Sequence, residues 1–305
     1  MTVHHRPDPL TVTALTIAVV SISASAPMIA YAAAPALALA FWRNLLAAGV
    51  LAPAAVARRG PELRQLVRGG KRREGGYSLL AGAALAVHFG AWMPSTKLTS
   101  VATATALVCT QPVWQGLIAS RQGKRLPQAT WIGIGMAVGG AALATGADIG
   151  VSGEAILGDL LALAGAVAGA VYTALGEQAR TQLSTTTYTL VCYTTCAAGL
   201  LAVCLIGQVR LSGFDTTTWL VVLGLVIGPQ LLGHSMLNYA LHKISATTVS
   251  ILALLEVPGA ALIAWAWLDQ LPPLSSLPGL SLLLAGVAVV LLARTRPTPT
   301  PHPTL

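Results

Sequence analysis

Charged side chains are scarce in this chain of 305 residues. Asp, Glu, Lys and Arg make up only 9% of it, whereas soluble domains carry roughly 25%. This composition excludes an ordinary soluble globular protein. A disordered chain is also excluded, because 55% of the residues are hydrophobic and the mean hydropathy is +0.72. The composition therefore predicts an integral membrane protein.

Several chemical motifs are also missing. Four cysteines are too few for a disulfide framework, and Cys192 and Cys196 have no neighbouring His or carboxylate to complete a metal set. No GxxxxGK[ST] loop is present to bind nucleotide phosphates, so ATP-driven pumping by this chain is not expected. HExxH, GxSxG and aspartate-rich prenyl-diphosphate motifs are absent too. We therefore expect no cofactor and no metal. For the function of the protein, a membrane enzyme and a structural or sensory subunit are kept as alternatives.

Long apolar runs recur along the whole chain. A bilayer core needs roughly 20 apolar residues per helix, and runs of this size that do not alternate predict helices rather than a β-barrel. The predicted fold class is all-α, with ten transmembrane helices. These spans, numbered 1 to 10, cover residues 11–31, 35–57, 78–96, 100–119, 129–147, 157–176, 184–206, 217–240, 245–267 and 276–293.

The basic residues are distributed unevenly between the two faces that ten spans create. Fifteen of the 18 Lys and Arg residues fall on the face that holds both termini, seven of them in the basic loop 58–73. Only Lys97 and Arg210 fall on the other face, and Arg43 lies within span 2. Positive charge marks the cytoplasmic side, so both termini are predicted to be cytoplasmic in a multi-pass protein of the cell membrane. The net charge of +8 therefore indicates topology rather than nucleic-acid binding.

The chain contains an internal repeat. Shifted by 145 residues, segment 100–119 aligns with 245–264 and Gln111 meets Glu256. At a shift of 146, His88 meets His234, Gly133 meets Gly279 and Gly140 meets Gly286. A repeat with an odd number of spans must insert its second copy upside down, which is a common plan of secondary transporters. We expect five-helix halves at 11–147 and 157–293, joined by 148–156, with terminal segments 1–10 and 294–305.

Short motifs now give the chain a resemblance to a known family. They are Phe41-Trp42-Arg43-Asn44, Gln111-Pro112, Gly158-Asp159-Leu160, Asn238-Tyr239-Ala240-Leu241, Ser245-Ala246 and Leu255-Glu256-Val257-Pro258. With them the chain resembles the EamA-type branch of the drug/metabolite transporter superfamily. The resemblance implies efflux of a small metabolite, amino acid or drug through a cavity lined by spans 1, 3, 4, 6, 8 and 9. The family often has adjacent Glu-Pro in span 9 and an acidic residue after it, whereas Val257 intervenes here and the loop offers Asp269.

Two ionisable residues lie at membrane depth, where each costs about 2.5–3.5 kcal/mol on insertion scales. Glu256 falls near the midplane of span 9, so it either titrates during transport or meets a cationic substrate, or it holds two helices together. Arg43 lies roughly 12 Å into span 2. Arg43 could form an ion pair or anchor the end of the helix. Alternatively, it binds a substrate carboxylate. Proton coupling through Glu256 and uncoupled facilitation both remain open.

Other polar and aromatic side chains form helix-spaced groups. Gln230, His234 and Asn238 follow at i, i+4 and i+8 and should share one interior face, either at a cavity or in an interhelical seam. His88 with Trp92 and Gln111 with Trp114 are further candidates for binding a solute. Small residues predict close helix contact in spans 5 and 10, inside one protomer or in a homodimer. The glycines concerned are Gly133, Gly135, Gly139 and Gly140.

Overall fold

A computed structural model describes residues 8–99, 101–145, 152–268, 274 and 277–295, and within these ranges the chain forms helices and no strands. The helices are α1 Pro9–Ser23, α2 Ser25–Tyr31, α3 Ala36–Arg68, α4 Arg72–Leu98, α5 Val101–Val108, α6 Gln111–Arg121, α7 Gln128–Thr145, α8 Gly153–Ala179, α9 Thr185–Ile206, α10 Thr216–Leu225, α11 Ser235–Ala240, α12 Ala246–Ala253, α13 Glu256–Leu268 and α14 Leu277–Thr295. A π-helical segment, Val226–His234, joins α10 to α11.

Seven segments among the described residues are long and apolar enough to cross a bilayer. Two shorter apolar helices, α7 and α14, contain 18 and 19 residues. At 1.5 Å per residue, each of these is about 27–29 Å long, close to the thickness of the hydrocarbon core. The chain is therefore a multi-pass membrane protein. The seven segments are Pro9–Ile29, Ala36–Arg68, Arg72–Leu98, Gly153–Ala179, Thr185–Ile206, Thr216–Ala240 and Ala246–Ile263.

Three apolar segments are interrupted shortly before a proline. Span 1 breaks at Ala24, ahead of Pro27, and spans 4 and 9 break ahead of Pro112 and Pro258. Proline lacks an amide hydrogen and cannot complete the helical ladder, so the turn before it is left to tighter pairs such as the amide of Val257 with the carbonyl of Leu254 at 3.1 Å. Each break thus ends one helix and starts another within the same span.

The breaks in spans 4 and 9 fall at equivalent places in the sequence repeat. The helices α5 and α12 each have eight residues, and each is followed by two non-helical residues and a second helix. The offset of 145 relates Val101 to Ala246 and Gln111 to Glu256. Each of the last two residues begins the second helix of its span. The repeat therefore extends from residue identity to the local backbone.

Close glycine packing joins α7 to α14. A Cβ at Gly133 would lie 2.8 Å from the carbonyl oxygen of Gly286, and a Cβ at Gly140 would lie 2.7 Å from that of Gly279. The two helices therefore run antiparallel. Gly133 also contacts the repeat equivalent of Gly140, while Gly140 contacts the repeat equivalent of Gly133.

The segment predicted as a basic loop at 58–73 is mostly helical, which corrects the sequence-based prediction. Helix α3 continues to Arg68 through a kink at Arg59, where φ is −128° and ψ is 16°, just before Pro61. It ends at Gly69, whose φ of +90° is the left-handed conformation that often follows a helix. Helix α3 thus continues through charged residues past the predicted end of span 2.

Candidate functional site

A central cavity of about 80 Å³ lies among the interrupted helices. Its lining residues come from spans 1, 3, 4, 6, 8 and 9, the spans that the family resemblance implies. Six of the nine candidate site residues line it: His88, Trp92, Gln111, His234, Asn238 and Glu256. Pockets for drug-sized ligands measure roughly 300–1,000 Å³, so this conformation has room only for a small solute or a few waters.

His88 and Trp92 form an aromatic wall of the cavity. Their rings stack with centroids 6.0 Å apart and an interplanar angle of 18°. The Nδ1 of His88 lies 2.8 Å from the carbonyl oxygen of Gly165, which only accepts, so Nδ1 donates and a neutral ring keeps a free lone pair on Nε2. The indole nitrogen of Trp92 is buried without a hydrogen-bond partner. The wall thus offers both an acceptor and an unused donor.

The polar stripe of span 8 divides between two environments. His234 lies edge-on to Phe89 with centroids 5.3 Å apart, and Asn238 donates from Nδ2 to the hydroxyl of Tyr172 at 2.6 Å. Both line the cavity, whereas Gln230 is completely buried and does not. All three are interior as expected, but they do not form one cavity wall. The wider i→i+5 turns of the π-helical segment break the expected register.

Gln111 is held on both sides. Its Nε2 donates to the hydroxyl oxygen of Thr173 at 3.2 Å and to that of Ser250 at 3.3 Å, which ties α6 to α8 and α12. Trp114, the other candidate of span 4, does not line the cavity and donates its indole hydrogen to Thr110 at 3.2 Å. The interactions of Trp114 are therefore those of a packing residue.

Glu256 lines the cavity at the first residue of α13 and is partly buried. The ion pairs found among the described residues are Glu62–Lys71, Glu177–Lys124 and Asp8–Lys243, and none of them involves Glu256. A carboxyl group so placed is available to a proton or to a cationic group of a solute.

Arg43 lies in a buried polar cluster next to the cavity. It is 0% exposed, and it donates from Nε to Oε1 of Gln230 at 2.7 Å and from Nη1 to the hydroxyl of Ser25 at 3.4 Å. Gln230 in turn donates to Asn44 at 3.0 Å, and the guanidinium lies 4.3 Å from the ring centroid of Phe89.

The charge of Arg43 has no carboxylate partner in the described part of the chain, and its Nη2 has no hydrogen-bond partner. This corrects the expectation of an ion pair or a helix-end anchor, since a fully buried guanidinium does not reach the interface. Burying a charge without a counter-ion is costly. The cluster therefore holds a positive charge, and one guanidinium nitrogen in it has no hydrogen-bond partner. Ser25 both accepts from Arg43 and lines the cavity, so it connects the two.

Sequence reasoning missed Tyr172, Thr173 and Ser250 and did not place Ser25 in the site, although all four line the cavity. Each is a hydroxyl-bearing residue within an apolar run, a type that is common in membrane helices as a partner of the backbone. Ser250 lies in the Ser/Ala/Thr-rich start of span 9, where the repeat pattern is clear. The repeat pattern was therefore the signal that could have identified Ser250.

The comparisons with known proteins agree with this architecture. The model of the EamA-like transporter family matches the chain twice, over residues 9–146 and 156–292. A comparison with curated proteins finds no match. Twenty-four chains of solved structures match, among them a crystal structure with 23% sequence identity and a TM-score of 0.74. The alignment covers 93% of this chain and 96% of the other, and at such low identity the likeness shows the fold alone.

Proposed function

The chain belongs to the EamA-like transporter family of the drug/metabolite transporter superfamily, and on this premise we propose that it is a secondary transporter exporting a small metabolite, amino acid or drug. Membership implies a bilayer and a small-molecule substrate, because members of the family are transporters. The observation that carries the proposal is the central cavity, lined by a carboxyl group that has no ion-pair partner among the described residues.

We infer ten spans in two inverted halves of five. The first half comprises α1–α2, α3, α4, α5–α6 and α7, and the second comprises α8, α9, α10–α11, α12–α13 and α14. The reciprocal glycine contacts of the antiparallel α7 and α14 support this arrangement. If both helices cross the bilayer, a two-fold axis relating them lies in the membrane plane. Rocking of the halves would expose the cavity to each side in turn.

The orientation follows from the basic residues. Placing the end rich in Lys and Arg in the cytoplasm puts both termini there and makes the protein a component of the cell membrane. Substrate leaving the cell would then enter the cavity from the end that carries Arg180, Lys243 and the tip of α3.

Within the cavity, the proposed roles follow the chemistry of each wall. Glu256 is the coupling residue, which takes up a proton in one state and releases it in the other. His88, Trp92, Gln111, His234 and Asn238 contact the solute through hydrogen bonds and aromatic surface. Arg43, with Gln230, provides a positive charge next to the cavity for an anionic group. Trp114 supports the break in span 4.

A proteoliposome assay tests this coupling. The substrate is first identified by an untargeted comparison of metabolites retained by cells with and without the protein. In the Glu256→Gln variant, accumulation driven by a proton gradient should be abolished while downhill exchange continues, because the amide cannot carry the proton.

Glu74→Gln is the matched control, since it neutralises a carboxylate in the first turn of α4, outside the cavity lining. It should retain both activities. Equal retention of both activities by Glu256→Gln would show that Glu256 is not the coupling residue, whereas a wild-type protein without gradient-driven accumulation would be an uncoupled facilitator. Chemical turnover in detergent, without a sealed compartment, would favour a membrane enzyme.

A homodimer through α7 and α14 stays a prediction. Gly133 and Gly140 are already used inside the protomer, whereas a Cβ at Gly135 or Gly139 would meet nothing within 4 Å. Gly135 and Gly139 are therefore the glycines of α7 that remain open to a dimer contact.

A further inference from the structure

The sequence repeat also relates four charged residues at the ends of the bundle. The offset of 146 that relates His88 to His234 carries Asp8 onto Glu154 and Lys97 onto Lys243. Each carboxylate lies at the start of the first helix of its half, and each lysine lies at or just after the end of the third span. Both halves therefore have the same acid–base pattern at corresponding positions.

At one end of the bundle these charges meet across the halves. The Nζ of Lys243 lies 3.6 Å from Oδ2 of Asp8, and Asp8 also accepts from the amide of Thr11 at 2.7 Å as the cap of α1. Both side chains are about half exposed, at 48% and 44%. This ion pair links the first helix of one half to the segment after α11 in the other.

At the other end the equivalent pair is not formed. Lys97 donates instead to the carbonyl oxygen of Ala34 at 3.1 Å, within its own half. Glu154 is exposed, and the ion pairs found in the described ranges do not include it. The two residues nevertheless belong to adjoining surfaces. Gly158, one turn after Glu154, packs so closely that a Cβ there would lie 2.9 Å from the amide nitrogen of Thr99.

We propose that Asp8–Lys243 and Lys97–Glu154 are alternating gate pairs, one closing each end of the transporter in turn. The proposal rests on the proposed alternating access, in which inverted halves exchange conformations. When they do so, contacts at one end are replaced by their repeat equivalents at the other. Asp8–Lys243 then breaks as Lys97 leaves Ala34 and pairs with Glu154.

A second polar contact at the same end lacks such a counterpart. Lys124 Nζ lies 2.7 Å from Oε2 of Glu177 and also joins the two halves. Its repeat equivalents in the sequence are Gln270 and Tyr31, two residue types that do not carry opposite charges. The chain thus offers an inter-half ion pair with a repeat equivalent and one without, which makes Lys124–Glu177 a matched control.

Disulfide crosslinking tests proximity without a transport assay. In the Lys97→Cys/Glu154→Cys variant, oxidation in membranes should yield an intramolecular disulfide. The four native cysteines are buried and should not compete. Adding Asp8→Asn should raise the crosslinking rate about two- to five-fold, the population change expected for loss of one exposed ion pair. Glu74→Gln in place of Asp8→Asn should leave the rate unchanged.

Charge reversal tests the pair through transport. Lys97→Glu or Glu154→Lys alone should slow exchange about two- to five-fold, and the double reversal should restore it, because opposite charges again face each other. In the control, Lys124 or Glu177 is neutralised, which removes an inter-half ion pair without a charged repeat equivalent. Charges introduced at Gln270 or Tyr31 should not then restore the rate of exchange.

The outcomes separate the two proposals. No crosslink with or without Asp8→Asn, in a protein that transports its solute, overturns the gate pairs and leaves the transporter. A double reversal no faster than the single variants overturns them as well. Crosslinking that responds to Asp8→Asn, in a protein that moves no solute, supports the motion and overturns the proposed transport.

Discussion

Gln111 and Glu256 occupy equivalent breaks in the two halves, yet their surroundings differ. The amide of Gln111 bonds to hydroxyls on two neighbouring helices, whereas Glu256 lines the same cavity with no ion-pair partner in the described part of the chain. The same break in the backbone thus carries a hydrogen-bonded amide in the first half and an available carboxyl group in the second. The repeat gives both positions the same backbone geometry, and a difference of one side chain gives them different interactions.

The largest effect is expected from exchanging the two side chains. In the double variant Gln111→Glu/Glu256→Gln, gradient-driven transport should fall to background. The hydroxyls of Thr173 and Ser250 accept from the amide at position 111, and that of Thr173 already donates to the carbonyl oxygen of Gly169 at 2.8 Å. A carboxyl group at position 111 would therefore not have the surroundings of Glu256. Proteoliposome accumulation under a proton gradient measures this. Recovery of transport would mean that position alone, rather than environment, decides the role.

The two-fold relation itself is tested by the glycines of α7. Gly140→Ala places a methyl group against the backbone of α14, so we expect a loss of about 1–3 kcal/mol in the free energy of unfolding. Gly135→Ala is the matched control. It faces open space and should be neutral or stabilise by up to about 1 kcal/mol, because Ala favours helix. Thermal unfolding in detergent compares them, and equal losses would contradict the glycine packing.

The crosslinking role of Gln111 should have a smaller effect. Gln111→Met keeps the length of the side chain but removes the bonds to Thr173 and Ser250. We expect a destabilisation of about 1 kcal/mol, the usual net worth of such bonds. Thermal unfolding measures it, with Trp114→Phe as a control that removes a hydrogen bond outside the cavity lining. A transport defect without any loss of stability would argue that Gln111 acts only through its contact with the solute and does not hold the helices together.

The smallest effect concerns Asp8, the gate carboxylate of the first half. Hydrogen bonds from Thr11, together with the charge of Lys243, lower the pKa of Asp8 below its ordinary value. A lowered pKa means that this contribution to stability is present at neutral pH and is lost as pH falls through the pKa of the folded state. Asp8→Asn should therefore flatten slightly the fall of thermal stability between about pH 5 and about pH 3. An unchanged pH profile would contradict the capping and pairing of Asp8.

Much of the helical framework could be predicted because apolar length and charge distribution are written directly in the chain. The glycines of spans 5 and 10 also showed where two helices approach closely. The helical extension to Arg68 was missed, because polar residues past the end of a span look like a loop. Likewise the expected face of Gln230, His234 and Asn238 assumed α-helical spacing, which the π-helical segment around Pro229 does not follow.

The candidate site was harder to predict than the framework. Polar residues within apolar runs marked Glu256, His88 and Asn238 as interior, because lipid penalises polar groups wherever they lie in a span. Their partners could not be predicted: Tyr172 for Asn238 and Gly165 for His88 are 66 and 77 residues away. Arg43 showed the limit most clearly, since its burial among neutral groups contradicted both the ion pair and the anchor.

The sequence by itself determined a membrane protein, its family and a duplicated set of helices, because hydrophobicity and repetition are properties of the chain alone. Only the tertiary structure decided which helices touch, which candidates share the cavity and which charges are left without partners. Those features depend on distances between residues far apart in the chain, and helix packing sets such distances. The same repeat thus yields a bonded amide at Gln111 and an available carboxyl group at Glu256.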